Sequence, residues 1–222
     1  MRTCDVLVVG GGPAGSSCAK RLVEAGLQVL ILDRAVFPRD KPCAGWITPG
    51  VLETLGLPAG EYGEGRTLQP FTGFRTGQIG GPDVETRYAR PISFGIRRRE
   101  FDAYLLERSG AGVSTGVPVT GIRREGDGWI VNDEVRAPLL VGAGGHFCPV
   151  RRLLNGPPRS QGTVLAQEVE FRLDAPQRAA CAVLPEVPEL YFCRDLRGYG
   201  WCVSKGDYLN LGLGRRDATH LP

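Results

Sequence analysis

The sequence lacks the long apolar run that a membrane-spanning helix would need. Of the 222 residues 42% are hydrophobic, but no uninterrupted stretch approaches the roughly 18 residues of such a span. The apolar start would suggest a secretion signal, but Asp5 and a run of glycines interrupt it early. We therefore expect a cytoplasmic chain with one large or two small domains.

The sequence also has little net charge, few histidines and no closely paired cysteines. The net charge is only +3, which is too small to indicate nucleic-acid binding. The seven cysteines include no C-x-x-C pair and no zinc-like spacing, so we expect reduced thiols and no metal site. Only two histidines occur, His146 and His220, and a structural role is expected for His146.

A glycine pattern near the N-terminus is the most informative feature of the chain. Val6–Val9 predict a buried strand, and Gly10, Gly12 and Gly15 follow it in G-x-G-x-x-G spacing. The first glycine permits a tight turn, the second lets a pyrophosphate approach the backbone, and the third lets a helix pack closely on the strand. Pro13 suits the first turn of that helix.

A second predicted strand, Val29–Leu32, ends at Asp33, 18 residues after Gly15. An acid at this place would accept hydrogen bonds from a ribose diol, and the helix start favours a phosphate. The helix is expected to end near Ala25, with Gly26 as its cap. A glycine-rich turn used only for packing is the alternative, but the strand, turn and helix context favours dinucleotide binding.

The rest of the chain alternates between loops and strand-like segments. Residues 35–50 predict an ordered loop, Pro49 to Leu55 a short helix, and Arg99 to Arg108 a longer one. Strands are predicted within 66–96 and at 117–122, 129–131, 134–136, 139–141, 164–173, 189–193, 201–204 and 208–214.

Four segments of the chain carry a resemblance to a known family. They are Gly10-Gly-Gly-Pro-Ala-Gly15 with Asp33-Arg34, Phe37-Pro-Arg-Asp-Lys-Pro-Cys43-Ala-Gly45, Arg98-x-x-Phe101-Asp102 before Leu105-Leu106, and Gly142-Ala-Gly-Gly-His-Phe-Cys-Pro-Val-Arg151. With these segments in this order, the chain resembles the flavin-dependent oxidoreductases of the p-hydroxybenzoate hydroxylase fold, and among them the geranylgeranyl reductase branch. A fifth similarity, Gly198-Tyr-Gly-Trp201, matches a segment that borders the substrate cavity in that family.

The resemblance implies FAD as the cofactor and assigns a set of residues to it. Val119 would offer its backbone groups to adenine, and the Arg98 guanidinium would suit a phosphate or nearby polar atoms. The residues assigned to FAD are Gly10, Gly12, Pro13, Ala14, Gly15, Asp33, Arg34, Cys43, Ala44, Gly45, Arg98, Val119, Gly142, Ala143 and Gly145.

Cys43 is the candidate catalytic residue, because the resemblance places its loop beside the isoalloxazine. A thiol there could tune the flavin, donate a proton or assist alkene reduction, and packing in a proline-fixed turn is the alternative. For Trp46 two roles remain alternatives, stacking against the cofactor or substrate and packing in the core. Tyr199 and Trp201 alternate with glycines, so both rings would face one side, and we favour a wall of the substrate cavity over plain sheet core.

The implied activity is reduction of double bonds in an apolar, isoprenoid-like small molecule by reduced FAD. Electrons would come from NAD(P)H or a redox protein, and a lipid substrate would bring the chain to a membrane surface. An FAD-dependent monooxygenase or halogenase, and a truncated non-catalytic fragment that needs a partner, are the alternatives. Lys41-Pro42-Cys43 favours the reductase, because halogenases typically have a G-E-S type sequence there.

The expected fold class is α/β, with a Rossmann-type FAD-binding domain interleaved with a mostly antiparallel β-sheet substrate domain. Residues 1–64 and 98–157 would form the FAD-binding part, and 65–97 and 158–222 the substrate part. Gly144 stands where the family has Asp, and Val203-Ser204 replace Phe-Pro. Nothing after Ser204 matches the family's second Gly-Asp-rich segment, so we expect a C-terminal truncation and an uncovered face near Gly142 to Arg151.

Overall fold

The computed structural model describes residues 1–156 and 164–216. His220 and the predicted boundary at residue 158 lie outside them. A short 3-10 turn spans Gly145–Phe147. The other elements are β1 (Arg2–Thr3), β2 (Val6–Val9), α1 (Pro13–Glu24), β3 (Val29–Asp33), β4 (Trp46–Ile47), α2 (Pro49–Leu55), α3 (Ala59–Gly63), β5 (Leu68–Phe71), β6 (Gly73–Gln78), β7 (Asp83–Arg87), β8 (Ser93–Ile96), α4 (Arg98–Glu107), β9 (Gly112–Thr115), β10 (Ile122–Glu125), β11 (Gly128–Val131), β12 (Val135–Ala137), β13 (Leu139–Gly142), α5 (Pro149–Asn155), β14 (Val164–Arg172), α6 (Ala175–Ala180), β15 (Glu189–Phe192), β16 (Gly198–Lys205) and β17 (Tyr208–Arg216).

The chain divides into two compact units, and each is built from two separate stretches. The first unit comprises residues 1–40 and 101–159, and the second comprises 41–100 and 160–222. The assignment of residues 41–64 to the FAD-binding part stays a prediction. Among the described residues, no helix combines the length and apolar character needed to cross a membrane.

A four-stranded parallel sheet, in the order β13-β2-β3-β9, is the centre of the first unit. Alternate side chains of its strands enter two cores, as the period of two in a strand requires. Val8 and Ile31 pack towards α1 and Leu106, whereas Leu7 and Leu30 pack towards the small sheet β1-β12-β11-β10. Burial on both faces explains why β2, and β3 up to its terminal Asp33, are uninterrupted apolar runs.

Part of the first unit leaves apolar side chains exposed, near the segment for which the sequence predicts an uncovered face. Phe147, Leu153 and Leu154 are 66%, 49% and 60% exposed. They follow the glycine segment that ends β13. Exposed apolar clusters of this kind often mark an interaction surface.

A six-stranded sheet, in the order β14-β17-β16-β15-β6-β7, forms most of the second unit. Its pairs are antiparallel except for β15 with β6, so the predicted mostly antiparallel sheet is confirmed. A smaller sheet, β4-β8-β5, belongs to the same unit. Phe71, Trp201 and Val203 form a buried cluster with Trp46 at its edge.

One predicted strand is wrong. Only Ile122 of residues 117–122 lies in a strand. In the residues before it, hydrogen bonds from the Asn132 side chain take the place of backbone pairing with another strand. The Asn132 amide donates to the Pro118 carbonyl at 2.9 Å and accepts from the Thr120 N–H at 2.9 Å. Pro118 also lacks a backbone donor, which disfavours strand pairing. The helices α3, α5 and α6 and the strands β1, β4 and β9 were not predicted, and β4 lies in the segment 35–50 that was expected to be a loop.

Candidate functional site

The G-x-G-x-x-G segment forms a turn that only glycine can occupy at its two ends. Gly10 has a φ of +113°, and a Cβ there would lie 2.5 Å from the Ala143 carbonyl oxygen. A Cβ on Gly15 would lie 1.8 Å from the Gly10 oxygen, which is far inside van der Waals contact. The glycines therefore permit the close packing of strand, turn and helix that the spacing predicts.

A second glycine segment meets this turn. The segment from Gly142 to Gly145 begins at the last residue of β13, which pairs with β2, and the Ala143 N–H donates to the Val9 carbonyl at 2.8 Å. Both segments therefore lie at the carboxyl end of the parallel sheet, where open α/β sheets bind their ligands. Gly144 stands at the place of the family's acid, and a Cβ there would lie 3.3 Å from the Cys148 Cα and Cβ atoms.

The start of α1 provides a cradle for an anion. Gly12 is the N-cap and has no side chain to cap the helix, and Pro13 is the first helical residue. The buried Ser16 hydroxyl instead ties back to the Gly11 carbonyl at 2.9 Å. The N–H groups and dipole of the first turn favour negative charge, and a phosphate can approach because no side chain at Gly12 obstructs it.

Asp33 holds the glycine turn as well as standing at the end of β3. Its Oδ2 accepts a hydrogen bond from the Gly11 N–H at 2.7 Å, and its Oδ1 accepts one from the Ala35 N–H at 2.8 Å. Each carboxylate oxygen can accept a further hydrogen bond, so a ribose contact remains compatible with both. The ribose contact stays a prediction, as does the role of the exposed Arg34.

Arg39 and Asp102 are site residues that the sequence analysis missed. A Cβ on Gly12 would lie 3.5 Å from Arg39 Nη2, so the guanidinium lies beside the middle glycine. The same nitrogen is 3.1 Å from the fully buried Asp102 carboxylate. Arg39 belongs to the Phe37-Pro-Arg segment and Asp102 to the Arg98-x-x-Phe-Asp segment, and both motifs could have drawn attention to them.

The cradle fits the pyrophosphate of a dinucleotide. Arg39 Nη1 is buried and has no hydrogen-bond partner among the described residues, so it can donate to an oxygen of a bound ligand. Gly12 leaves room, and the helix start and Arg39 supply favourable charge. Gly10, Gly12, Pro13, Ala14, Gly15, Ala143 and Gly145 are the predicted site residues around this cradle.

Two predicted residues of the site have less defined surroundings. Val119 packs on the edge of the core around Val9 and Val150, and Asn132 binds the backbone on either side of it. Arg98 begins α4. The adenine and phosphate contacts of these two residues stay predictions.

In the second unit, the Cys43 loop is fixed by an unusual backbone at Gly45. Gly45 has a φ of +67°, and a Cβ there would lie 2.0 Å from the Ile96 carbonyl oxygen. The Ile96 N–H donates to the Gly45 carbonyl at 2.7 Å, and the Gly45 N–H points at the Cys43 sulfur, 3.4 Å away. The thiol is therefore held in a defined place, half-buried rather than inaccessible.

An apolar cavity of about 490 Å³ opens beside this loop, within the same unit. The Tyr199 and Trp201 rings lie 5.8 Å apart, and both line the cavity. Trp46 also lines it, while its Nε1 donates to Ser93 Oγ at 2.7 Å. An open groove of about 990 Å³ shares part of the lining. The shared residues are Pro42, Ala166, Gln167, Glu168 and Trp201.

A polar network connects the cavity wall to the Cys43 loop. Trp201 Nε1 donates to Asn210 Oδ1 at 2.7 Å, and Asn210 Nδ2 lies 3.4 Å from the Cys43 carbonyl oxygen. The same amide donates to Glu168 at 3.0 Å. Asn210 is fully buried, so it couples the position of the aromatic wall to that of the loop.

Asn210 also donates to Glu170, which belongs to a partly buried ion-pair cluster. Lys205, fully buried, pairs with Glu170, whose other oxygen is 3.1 Å from Arg97 Nε. Burial alone would raise the pKa of Glu170, but the hydrogen bonds and charges of Lys205 and Arg97 hold that pKa below its usual value. The sequence analysis missed this cluster, although Lys205 and Asn210 lie on the same face of the sheet as the buried Trp201 and Val203.

His146 has a local role. Its backbone carbonyl accepts a hydrogen bond from Arg151 at 3.2 Å, and its ring meets Phe147 edge-on, with centroids 4.8 Å apart. Among the described residues, no group of three or more metal-ligating side chains lies together. All seven cysteines are free thiols.

Comparisons with known proteins agree with this geometry. A family model described as an FAD binding domain matches residues 3–207. A menaquinone reductase of Mycobacterium tuberculosis is 30% identical over 99% of the chain, and a geranylgeranyl diphosphate reductase of Rhodobacter capsulatus is 28% identical over 98%. The chain spans 57% and 55% of these two relatives.

A solved structure extends the comparison to the fold. The geranylgeranyl bacteriochlorophyll reductase-like protein from Thermoplasma acidophilum has a TM-score of 0.74 at 22% identity. The match covers 97% of this chain and 57% of that one. This match confirms the predicted α/β fold. The family model and the geranylgeranyl diphosphate reductase relative confirm the predicted resemblance to the geranylgeranyl reductase branch.

Proposed function

Because the chain belongs to the FAD binding domain family, we propose that it is part of an FAD-dependent oxidoreductase that reduces double bonds of an apolar, isoprenoid-like molecule. The observation that carries the proposal is the apolar cavity, in which Cys43 lies beside the aromatic wall of Trp46, Tyr199 and Trp201. The relatives named as reductases of menaquinone and geranylgeranyl diphosphate support the substrate class.

FAD is the cofactor, and its reduced form supplies the hydride when it is bound. The glycine turn and Asp33 bind and orient it, since they provide the pyrophosphate cradle and an acceptor at the end of β3. The apolar cavity holds the alkene and excludes water. The Cys43 thiol is the proposed donor of the proton that the second carbon of the double bond receives, and Asn210 holds its loop.

The setting of the proposed enzyme follows from its chemistry. Free thiols at all seven cysteines suit the cytoplasm. Reoxidised flavin needs a reductant, for which we propose NAD(P)H or a redox protein. A lipid substrate would place the chain at a membrane surface, with peripheral contact only.

Anaerobic turnover with chemically reduced FAD tests the proposal. Geranylgeraniol is the probe, and mass spectrometry of the product should show two added hydrogens for each reduced double bond. A short polar alkene is the control, because the apolar cavity should not retain it. Hydroxylated or halogenated product that forms only with oxygen would favour the monooxygenase or halogenase alternative, and folded, flavin-loaded protein without any product would contradict the reductase.

A further inference from the structure

The strongest unused polar group in the described structure is Arg39 Nη1. It is buried, and no described residue accepts a hydrogen bond from it. Buried donors without partners are rare in folded proteins, because they have given up their hydrogen bonds to water. An acceptor from outside the chain is therefore the natural partner for this nitrogen.

The position of the guanidinium restricts what that acceptor can be. Its Nη2 lies 3.5 Å from the place where Gly12 would have a Cβ, and Gly12 is the N-cap of the twelve-residue helix α1. The helix start and the guanidinium both favour negative charge at this point. A phosphate group meets both requirements, whereas a neutral part of a ligand would leave the charge unmatched.

Asp102 and Phe37 fix the guanidinium. Asp102 has no solvent exposure and pairs with Nη2 at 3.1 Å, and the centre of the guanidinium lies 4.7 Å from the centroid of the Phe37 ring. Because the guanidinium is a rigid planar fork, pairing through Nη2 orients Nη1 as well. An ion pair that joins the Arg39 loop to α4 accounts for the Nη2 contact, but it does not account for the buried Nη1.

We propose that Arg39 donates a hydrogen bond to a phosphate oxygen of the FAD pyrophosphate, and that Asp102 is the positioning residue that holds Arg39 for this contact. The proposal rests on the assignment of FAD to the glycine turn. It gives a role to two residues of the matching segments that the sequence resemblance left without one.

Equilibrium titrations with four ligands test the proposal. FAD and ADP contain the pyrophosphate, whereas riboflavin and adenosine lack any phosphate. The variants are Arg39→Met, which keeps an apolar stem over Phe37, and Arg39→Lys, which keeps one charge but lacks the fork. Arg21→Met is the matched control, since Arg21 is 74% exposed near the other end of α1.

Arg39→Met should weaken FAD and ADP binding by about ten- to a hundredfold, the value of a hydrogen bond between charged groups. Its adenosine and riboflavin affinities should equal those of the wild type, and the salt dependence of its ADP binding should be smaller. Arg21→Met should leave all four affinities unchanged. If Arg39→Met does not fold, Arg39→Lys serves as the test. It should lose affinity for FAD and ADP by a smaller factor and keep its affinity for adenosine and riboflavin.

Two results would overturn the proposal alone. One is wild-type FAD and ADP affinity in the Arg39 variants, and the other is an equal loss for adenosine, which would indicate a purely structural role. Wild-type protein that is folded but binds neither FAD nor ADP would overturn the FAD assignment together with it.

Discussion

Replacing Gly45 by alanine should destabilise the second unit and displace the Cys43 loop. Two effects add at this residue. Its φ of +67° is a left-handed conformation, which costs an L-residue about 1–2 kcal/mol. The added Cβ would also lie 2.0 Å from the Ile96 carbonyl oxygen and 2.8 Å from Lys205 Nζ, so backbone and buried lysine must both shift.

Gly56 provides the matched control. Its φ is +59°, but a Cβ there would meet nothing within 4 Å, so Gly56→Ala has the conformational cost alone. Gly45→Ala should in addition weaken the 2.7 Å hydrogen bond from Ile96, worth about 0.5–1.5 kcal/mol, and disturb the buried Lys205 pair. We expect Gly45→Ala to cost at least about 2 kcal/mol more than Gly56→Ala.

Urea denaturation of the two variants measures this difference as a change in the free energy of unfolding. The rate at which a thiol reagent modifies Cys43 should change in Gly45→Ala and not in Gly56→Ala. Peptide mapping of the modified protein distinguishes Cys43 from the other six cysteines. Equal destabilisation in both variants would refute the close approach at Gly45, and with it the idea that this glycine fixes the loop.

Three further predictions concern single side chains. Asp33→Ala should weaken FAD binding by about ten- to a hundredfold in a flavin fluorescence titration, because the proposed ribose acceptor and the hydrogen bond to Gly11 are lost together; unchanged affinity would contradict the proposed role. Cys43→Ser should keep FAD bound while alkene reduction falls sharply, and equal turnover would rule out a catalytic thiol. The folded-state pKa of Glu170 lies below its ordinary value of 4.5, so its stabilisation is present above that value and is lost as the pH falls through the lowered pKa. Denaturation at several pH values should therefore show that Glu170→Gln loses less unfolding free energy than the wild type as the pH falls. The variant should be destabilised at pH 7 by about 3–5 kcal/mol, because Lys205 loses its charged partner. An equal loss of unfolding free energy in acid in both proteins would contradict this role.

The first βαβ unit could be predicted because its signals are local. An apolar run, a glycine spacing and an acid at the end of the next strand each restrict the backbone over a few residues, and β2, α1 and β3 follow them closely. The segment 117–122 was predicted wrongly because the deciding contact comes from Asn132, which is remote in sequence from Thr120. Local β-propensity contains no information about that side chain.

The polar part of the site was beyond sequence reasoning for the same reason. Asp102 meets Arg39, and Glu170 meets Lys205, only after strands and helices have been placed. Alternation along β16 and β17 could have indicated that Lys205 and Asn210 face inward with Trp201, but not which carboxylates they would meet. The Cys43 loop was identified by resemblance, whereas its fixation by Gly45 and Asn210 required the structure.

Titration of the purified chain with FAD, followed by flavin fluorescence and by the visible spectrum after gel filtration, tests most directly whether the glycine turn holds this cofactor. We expect saturable binding of one FAD per chain, and its loss in Gly15→Val, because a side chain at Gly15 would collide with the Gly10 oxygen at 1.8 Å. Folded protein that stays colourless after incubation with FAD, or that binds FAD equally well with valine at this position, would contradict the account.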